Sequence, residues 1–124
     1  MNEMKLGDME QRFAEMIWEH APIESGELVR MCAQAFDWKK STTYTMLRRL
    51  CDRGLFRNRD GIVEILLTRE QFLSRQSKNF VKETFSGSLP RFLAAFAAED
   101  KLSEDEITAL EQLIASYRKG DEQS

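Results

Sequence analysis

Hydroxyl and arginine side chains recur at helical spacing between residues 41 and 49, and their chemistry suits contacts with DNA. Two adjacent lines at i, i+3, i+7 spacing hold them, with Thr42, Thr45 and Arg49 in one line and Ser41, Tyr44 and Arg48 in the other. Residues at this spacing share one face of a helix. Hydroxyls can hydrogen-bond phosphates or base edges, and an arginine can pair bidentately with guanine. The pattern therefore predicts a helix that reads DNA, with Arg49 as its main base or phosphate contact.

Positive charge is concentrated around this stretch, although the whole chain has a formal net charge of −3. Residues 38–59 hold seven basic groups and one acid, whereas residues 1–37 and 99–124 each carry a net charge of −5. A basic patch on an acidic chain attracts phosphates locally. A solvated helix face would show the same run of charge. The residues predicted mainly to neutralise phosphates are Lys39, Lys40, Arg48, Arg57 and Arg59.

Three predicted helices and a hairpin would position this face. Apolar residues at helical spacing predict helices over about 9–20, after Ser25 to Phe36, and from near Ser41 to the turn before Gly54. An Asp60-Gly61 pair between two β-prone runs predicts a hairpin within 55–67. This order of elements is typical of a winged helix-turn-helix, which we place at residues 1–68.

Residues 69–124 are predicted to form a helical dimerisation arm. Their helices are rich in Phe and Leu, although the winged helix already has its own core. These faces could fold back into the same domain, but we expect them to pack against a second copy of the chain, because most soluble oligomers are symmetric homodimers. The predicted dimerisation residues are Phe72, Phe80, Phe85, Leu89, Phe92, Leu93, Phe96, Ile107, Leu110, Leu113, Ile114 and Tyr117. The predicted fold class is thus mainly α with a small β-hairpin wing.

The sequence offers no pattern typical of an enzyme. Phosphate-binding glycine motifs and the Cys/His spacing of a zinc site are absent from it, so we predict no catalytic residues, no metal and no cofactor. Cys32 and Cys51 sit among apolar neighbours, which favours reduced thiols over a disulfide. No apolar run approaches the roughly 20 residues of a membrane span, and the N-terminus lacks the layout of a signal peptide. We therefore expect a cytoplasmic protein without membrane association.

A set of motifs in fixed order makes the chain resemble the penicillinase-repressor family of bacterial transcriptional repressors, which includes the methicillin-resistance and copper-responsive repressors. The motifs are Asp37-Trp38, S-T-x-x-T-x-L-x-R-L from Ser41 to Leu50, Arg53-Gly54, the hairpin, and KLSEDEI from Lys101 to Ile107. The resemblance covers about residues 5–117. It implies a homodimer that binds double-stranded DNA at inverted-repeat operators and represses by occluding a promoter. By position, it places on the DNA-facing side Ser41, Thr42, Tyr44, Thr45 and Arg49.

The chain departs from the family in two places that concern induction. Some members are inactivated by proteolysis between an Asn and a Phe in the short fifth helix, where this chain has Ala95-Phe96. Copper-responsive members carry a C-terminal cysteine cluster, whereas this chain ends in YRKGDEQS. The inducing signal, and with it any regulatory protease or antirepressor partner, stays open.

Two other functions stay open from the sequence. A winged helix can bind proteins instead of DNA, and the overall acidic charge is compatible with such an interaction module. A small-molecule sensor would use a pocket among Phe80, Phe85, Phe92 and Phe96. Loss of duplex binding with rising salt would distinguish a DNA-binding protein from an interaction module.

Overall fold

A computed structural model describes residues 5–123, with side chains up to residue 120. The chain divides into two units, Met1–Phe80 and Val81–Ser124, and the division falls within the fourth helix. Over the described residues the elements follow one another as α1 (Asp8–His20), β1 (Ile23–Glu24), α2 (Ser25–Phe36), α3 (Lys40–Asp52), β2 (Phe56–Arg59), β3 (Ile62–Ile65), α4 (Arg69–Thr84), α5 (Leu89–Phe96) and α6 (Glu104–Gln123). The predicted class, mainly helical with a small β-sheet, is confirmed.

The first three helices bury one apolar side each in a common core. The helical spacing of the apolar residues explains this, because a stripe at i, i+3, i+4 faces one direction. In α3 the inward side consists of Thr43, Leu47 and Leu50, all buried. Met46, beside this inward side, is half-buried against the core. The opposite side of α3 is thus left to solvent.

Gly54 ends α3 and turns the chain directly into the hairpin. Its φ of 84° lies in the left-handed region that glycine adopts without steric cost. The Gly54 amide donates to the Cys51 carbonyl at 2.9 Å, and the Leu55 amide donates to the Leu50 carbonyl at 3.1 Å. These two bonds form a Schellman motif, which satisfies carbonyls that the helix end would otherwise leave unpaired. Leu55, the next residue, is already buried in the core.

The predicted hairpin forms around Asp60 and Gly61. Strands β2 and β3 pair antiparallel, with Arg59 opposite Ile62. The turn residues have φ values of 52° and 83°, as a two-residue type I′ turn requires. The Asp-Gly pair therefore sets the register of the whole wing.

A third strand joins the sheet, which the sequence did not predict. Strand β1 pairs antiparallel with β3 through Ile23 opposite Val63, so the strand order is β1-β3-β2. Two residues are too few to show an alternating pattern of apolar and polar side chains. The added strand fixes the loop between α1 and α2 to the turn end of β3, where the Ser25 amide also donates to the Gly61 carbonyl at 2.8 Å.

The start of α4 belongs to the core of the first unit, which corrects the prediction that Phe72 lies in the dimer interface. Phe72 has no exposed surface. Its ring centroid lies 5.4 Å from that of Trp18, which in turn lies 5.5 Å from that of Phe56. The Trp18 indole donates to the Leu67 carbonyl at 2.9 Å. Phe72 closes the winged-helix core because a short connection after β3 brings the first turns of α4 onto α1.

The second unit is built from the end of α4, the short helix α5 and the 20-residue helix α6. Ser88 caps α5 by accepting a hydrogen bond from the Arg91 amide. Ser103 and Glu106 form a reciprocal capping box before α6, with bonds of 2.9 and 3.1 Å. Among the side chains described within residues 81–120, none is fully buried. This unit therefore leaves much of its apolar surface uncovered.

We predict that Phe72→Ala lowers the free energy of unfolding by about 3–5 kcal/mol, because it removes a fully buried aromatic ring and leaves a cavity. Leu66→Ala is the matched control, since Leu66 is half-exposed and its truncation should cost about 1 kcal/mol or less. Urea unfolding followed by far-ultraviolet circular dichroism, at one protein concentration, measures both. Equal losses would contradict the assignment of Phe72 to the core.

We also predict that Gly61→Ala destabilises the protein by about 1–2 kcal/mol, the cost of a left-handed conformation for an L-residue. An added Cβ at Gly61 would meet no atom within 4 Å, so the cost is conformational. Gly26, within α2, is equally unobstructed, and Gly26→Ala should stabilise by about 0.4–1 kcal/mol. The melting temperature should fall for Gly61→Ala and rise for Gly26→Ala. A rise for both variants would refute the type I′ turn.

Candidate nucleic-acid interface

The outward side of α3 carries most of the side chains that were predicted to contact DNA. Lys39 is the N-cap residue and Lys40 the first residue of the helix, and no side chain caps this end. The positive end of the helix dipole therefore lies beside the hydroxyl residues. The exposed members of the predicted set on or beside this helix are Lys39, Lys40, Ser41, Thr42, Thr45, Arg48 and Arg49.

Local contacts arrange the line of this face that holds Thr42, Thr45 and Arg49. The Thr45 hydroxyl donates to the Ser41 carbonyl at 2.9 Å, one turn earlier. The hydroxyl oxygen keeps its acceptor capacity. An Arg49 guanidinium nitrogen lies 3.8 Å from the Met46 sulfur, a contact that leaves the rest of the guanidinium in solvent. Thr45 and Arg49 therefore present polar groups outward from a helix that is anchored on its other side.

Tyr44 differs from the other residues of the predicted set. Its ring is half-buried and packs against the core, and its hydroxyl donates to the Ser25 hydroxyl at 3.1 Å. The Lys40 ammonium lies 6.0 Å from the centroid of the same ring. Tyr44 thus connects α3 to the first residue of α2. A role of its hydroxyl in contacting DNA stays a prediction, and Ser25 is a supporting residue that the sequence did not single out.

The hairpin adds Arg57 and Arg59, both exposed, beside α3. Arg57 lies opposite Glu64 in the strand register, and their charged groups approach to 3.4 Å. Such an exposed pair is weak, so Arg57 can exchange its partner for another anion. Glu64 was not among the predicted site residues. A two-residue turn at Asp60-Gly61 fixes the register of the two strands, so the pairing of Arg57 with Glu64 could have been predicted from the sequence.

Arg53 belongs to the basic stretch of the sequence but not to this surface. Its guanidinium donates to the Lys5 carbonyl at 3.1 Å and lies 3.6 Å from a Glu10 carboxylate oxygen. These contacts tie the end of α3 to the start of α1. The charge of Arg53, which was not among the predicted contact residues, therefore has a structural partner.

Both cysteines are free thiols. Burial raises the pKa of Cys32, and a hydrogen bond from Thr43 only partly opposes this effect. Burial likewise raises the pKa of Cys51, which lies behind the exposed face of α3, against a smaller opposing effect of the Asn58 backbone. Both thiols are thus protonated and uncharged at neutral pH. Within the described part of the chain, no cluster of His, Cys, Asp or Glu could hold a metal ion.

Apart from Phe72, the predicted dimerisation residues retain exposed surface. Tyr117 is 69% exposed, Leu89 64% and Phe96 59%, values that are high for large apolar side chains. The other exposed members are Phe80, Ile107, Leu113 and Ile114, and those of intermediate exposure are Phe85, Phe92, Leu93 and Leu110. Over the described residues, no helix is long and apolar enough to span a membrane.

Comparison with known proteins agrees with the motifs found in the sequence. The family model described as Penicillinase repressor matches residues 6–116. The chain is 25% identical over 118 residues to the penicillinase repressor of Bacillus licheniformis, with 92% of each chain covered. It is 22% identical over 114 residues to the methicillin resistance regulatory protein MecI of Staphylococcus epidermidis, covering 89% of this chain and 93% of the relative. The family match spans nearly the whole sequence, and the chain therefore belongs to the penicillinase repressor family.

Proposed function

We propose that this protein is a transcriptional repressor that binds an inverted-repeat operator as a homodimer and occludes a promoter. The observation that carries the proposal is the outward side of α3, where hydroxyls and arginines are exposed on a helix whose other side is fixed in the core. The family and the names of the two relatives, a penicillinase repressor and a methicillin resistance regulatory protein, support a regulatory role.

Sequence recognition would come from α3 in the major groove. The buried residues Thr43, Leu47 and Leu50 hold this helix rigidly, so its outward side chains keep a constant geometry. Thr42, Thr45 and Arg49 form the line that reaches base edges. A bidentate arginine–guanine pair discriminates against other bases by about 1–3 kcal/mol. Arg49 is therefore the residue to which we assign most of the specificity.

Affinity would come mainly from phosphate contacts by the residues around α3 and on the wing. Lys39 and Lys40 lie at the N-terminal end of the helix, and Arg57 and Arg59 lie on the hairpin. Each basic group that neutralises a phosphate releases counterions, which makes binding steeply dependent on salt. The acidic remainder of the chain would limit binding to nucleic acid elsewhere on the surface.

The uncovered apolar surface of the second unit supports the proposal of a dimer. A helix such as α6 with apolar residues at 107, 110, 113, 114 and 117 gains stability in water only when that face is buried. The side chains described in this unit bury none of these residues fully. A second copy of the chain would cover them, and its two-fold symmetry would match the two halves of an inverted repeat.

We predict that Arg49→Ala weakens binding to the operator by about 10- to 100-fold, as expected for the loss of one bidentate base contact. Arg75→Ala, an exposed arginine on α4, serves as the charge-matched control and should retain most of the affinity. Operator fragments selected from genomic DNA and titrated by fluorescence anisotropy supply the measurement. Equal affinities for Arg49→Ala and the unsubstituted protein would refute the role of Arg49.

A salt series on the unsubstituted protein tests the proposal as a whole. The logarithm of the binding constant should fall linearly with the logarithm of the salt concentration. A protein-interaction module would show no binding to duplex DNA even at low salt. That outcome would overturn the proposed function.

We further predict that Leu113→Glu converts the dimer to a monomer, because it places a charge in the proposed apolar interface. Gln112→Glu introduces the same charge on the opposite side of α6 and should leave the dimer intact. Light scattering should give twice the 14.4 kDa chain mass for the unsubstituted protein and for Gln112→Glu. A single-chain mass for the unsubstituted protein at micromolar concentration would contradict the dimer.

A further inference from the structure

A groove of about 410 Å³ runs between α3 and the hairpin, within the first unit. Its floor consists of Leu47 and Phe56, which are almost fully buried. Leu66, half-exposed after β3, forms an apolar wall, and the ring of Tyr44 lines the groove on the α3 side. The size is within the range of about 300–1,000 Å³ that is common for small-molecule sites. Because Leu47 and Phe56 are almost fully covered, the accessible apolar surface of this open groove comes mainly from Leu66 and the ring of Tyr44.

Positive charge accompanies this apolar floor. Arg48 from α3 and Arg57 from β2 both line the groove, and none of its eight lining side chains is acidic. The nearby carboxylate of Glu64 approaches Arg57 only to 3.4 Å in an exposed pair. The Cys51 thiol, which also lines the groove, stays uncharged because burial raises its pKa. The groove therefore favours a ligand with one negative charge and an apolar body.

We propose that this groove binds a small amphipathic carboxylate. Its hydrocarbon portion lies against Leu66 and the ring of Tyr44, and its carboxylate pairs with Arg48 and Arg57. Arginine suits this role because its guanidinium presents two parallel donors to a carboxylate. A bare phosphate group lacks the hydrocarbon that would cover Leu66 and Tyr44, and a neutral lipid lacks the charge that the two arginines attract.

Occupation of the groove has a regulatory consequence, which rests on the proposed function. Arg48 and Arg57 are also proposed phosphate contacts, and Tyr44 lies within the predicted DNA-facing set. A bound carboxylate occupies hydrogen-bond donors of both arginines, offsets one of their two positive charges and fills the space between α3 and the wing. The ligand and DNA therefore compete, and the carboxylate acts as an inducer.

Titration of the full-length protein with sodium octanoate, without DNA, tests the binding site. Amide resonances of Cys51, Arg57 and Asn58 should shift saturably in nitrogen-15 spectra. Sodium acetate, which lacks the apolar body, and octanamide, which lacks the charge, should each bind at least about tenfold more weakly. Absence of saturable shifts, or shifts confined to the apolar pocket between α5 and α6 around Phe96 and Leu110, would overturn the proposal.

Two variants and a control localise the binding. Arg48→Ala should weaken octanoate binding by about tenfold through the loss of a charge-assisted hydrogen bond. Arg59→Ala removes the same charge from a wing position outside the groove and should leave octanoate binding unchanged. Leu66→Ala should weaken octanoate binding by about threefold to tenfold while leaving DNA affinity unchanged. Equal losses in Arg48→Ala and Arg59→Ala would overturn the proposal, because they would indicate unspecific attraction to charge.

Competition is measured last, by adding octanoate to the protein bound to its operator fragment. Release of DNA with a midpoint that follows the octanoate affinity supports the inducer role. Octanoate binding without any DNA binding would refute the proposed function and leave the carboxylate site standing. DNA binding without saturable octanoate binding would refute the carboxylate site and leave the proposed function standing.

Discussion

The packing of Trp18 is the contact on which the arrangement of α1, the hairpin and the start of α4 depends. The indole contacts Phe56 on the hairpin and Phe72 on α4, and its N–H is satisfied by the Leu67 carbonyl between them. One side chain on α1 thus touches the wing and the following helix. Aromatic pairs of this kind stabilise beyond the area that they bury, by about 0.5–1.5 kcal/mol each. Because β3 lies between these contacts, the wing cannot move far from the helices without breaking them.

The sequence predicted the local elements well because their signals are local. The Asp60-Gly61 turn and Gly54 after α3 each depend on residues within a few positions. Strand β1 and the placement of Phe72 depend on contacts between distant parts of the chain. A phenylalanine on an amphipathic helix has the same pattern whether it faces its own domain or a partner, and only the fold distinguishes the two.

The sequence was enough to predict which residue types form the candidate site, but not which contacts these residues make. Helical spacing was enough to separate the outward hydroxyls and arginines of α3 from its buried residues. It could not show that the Tyr44 hydroxyl bonds to Ser25, or that Arg53 points to Glu10 on α1. Both depend on how α3 sits against other helices. The concentration of basic residues between positions 38 and 59 was the stronger signal for this candidate site, because it does not depend on any single arginine.

The Schellman motif at Gly54 fixes the position of the hairpin relative to α3. Three residues separate α3 from β2, and the backbone amides of all three are hydrogen-bonded back into the last turn of the helix. The distance between the exposed side chains of α3 and those of the hairpin is therefore constant. In the proposed complex, a duplex that contacts both α3 and the wing would have to supply a matching groove width, so its shape and stiffness would contribute to recognition at base pairs that no side chain touches.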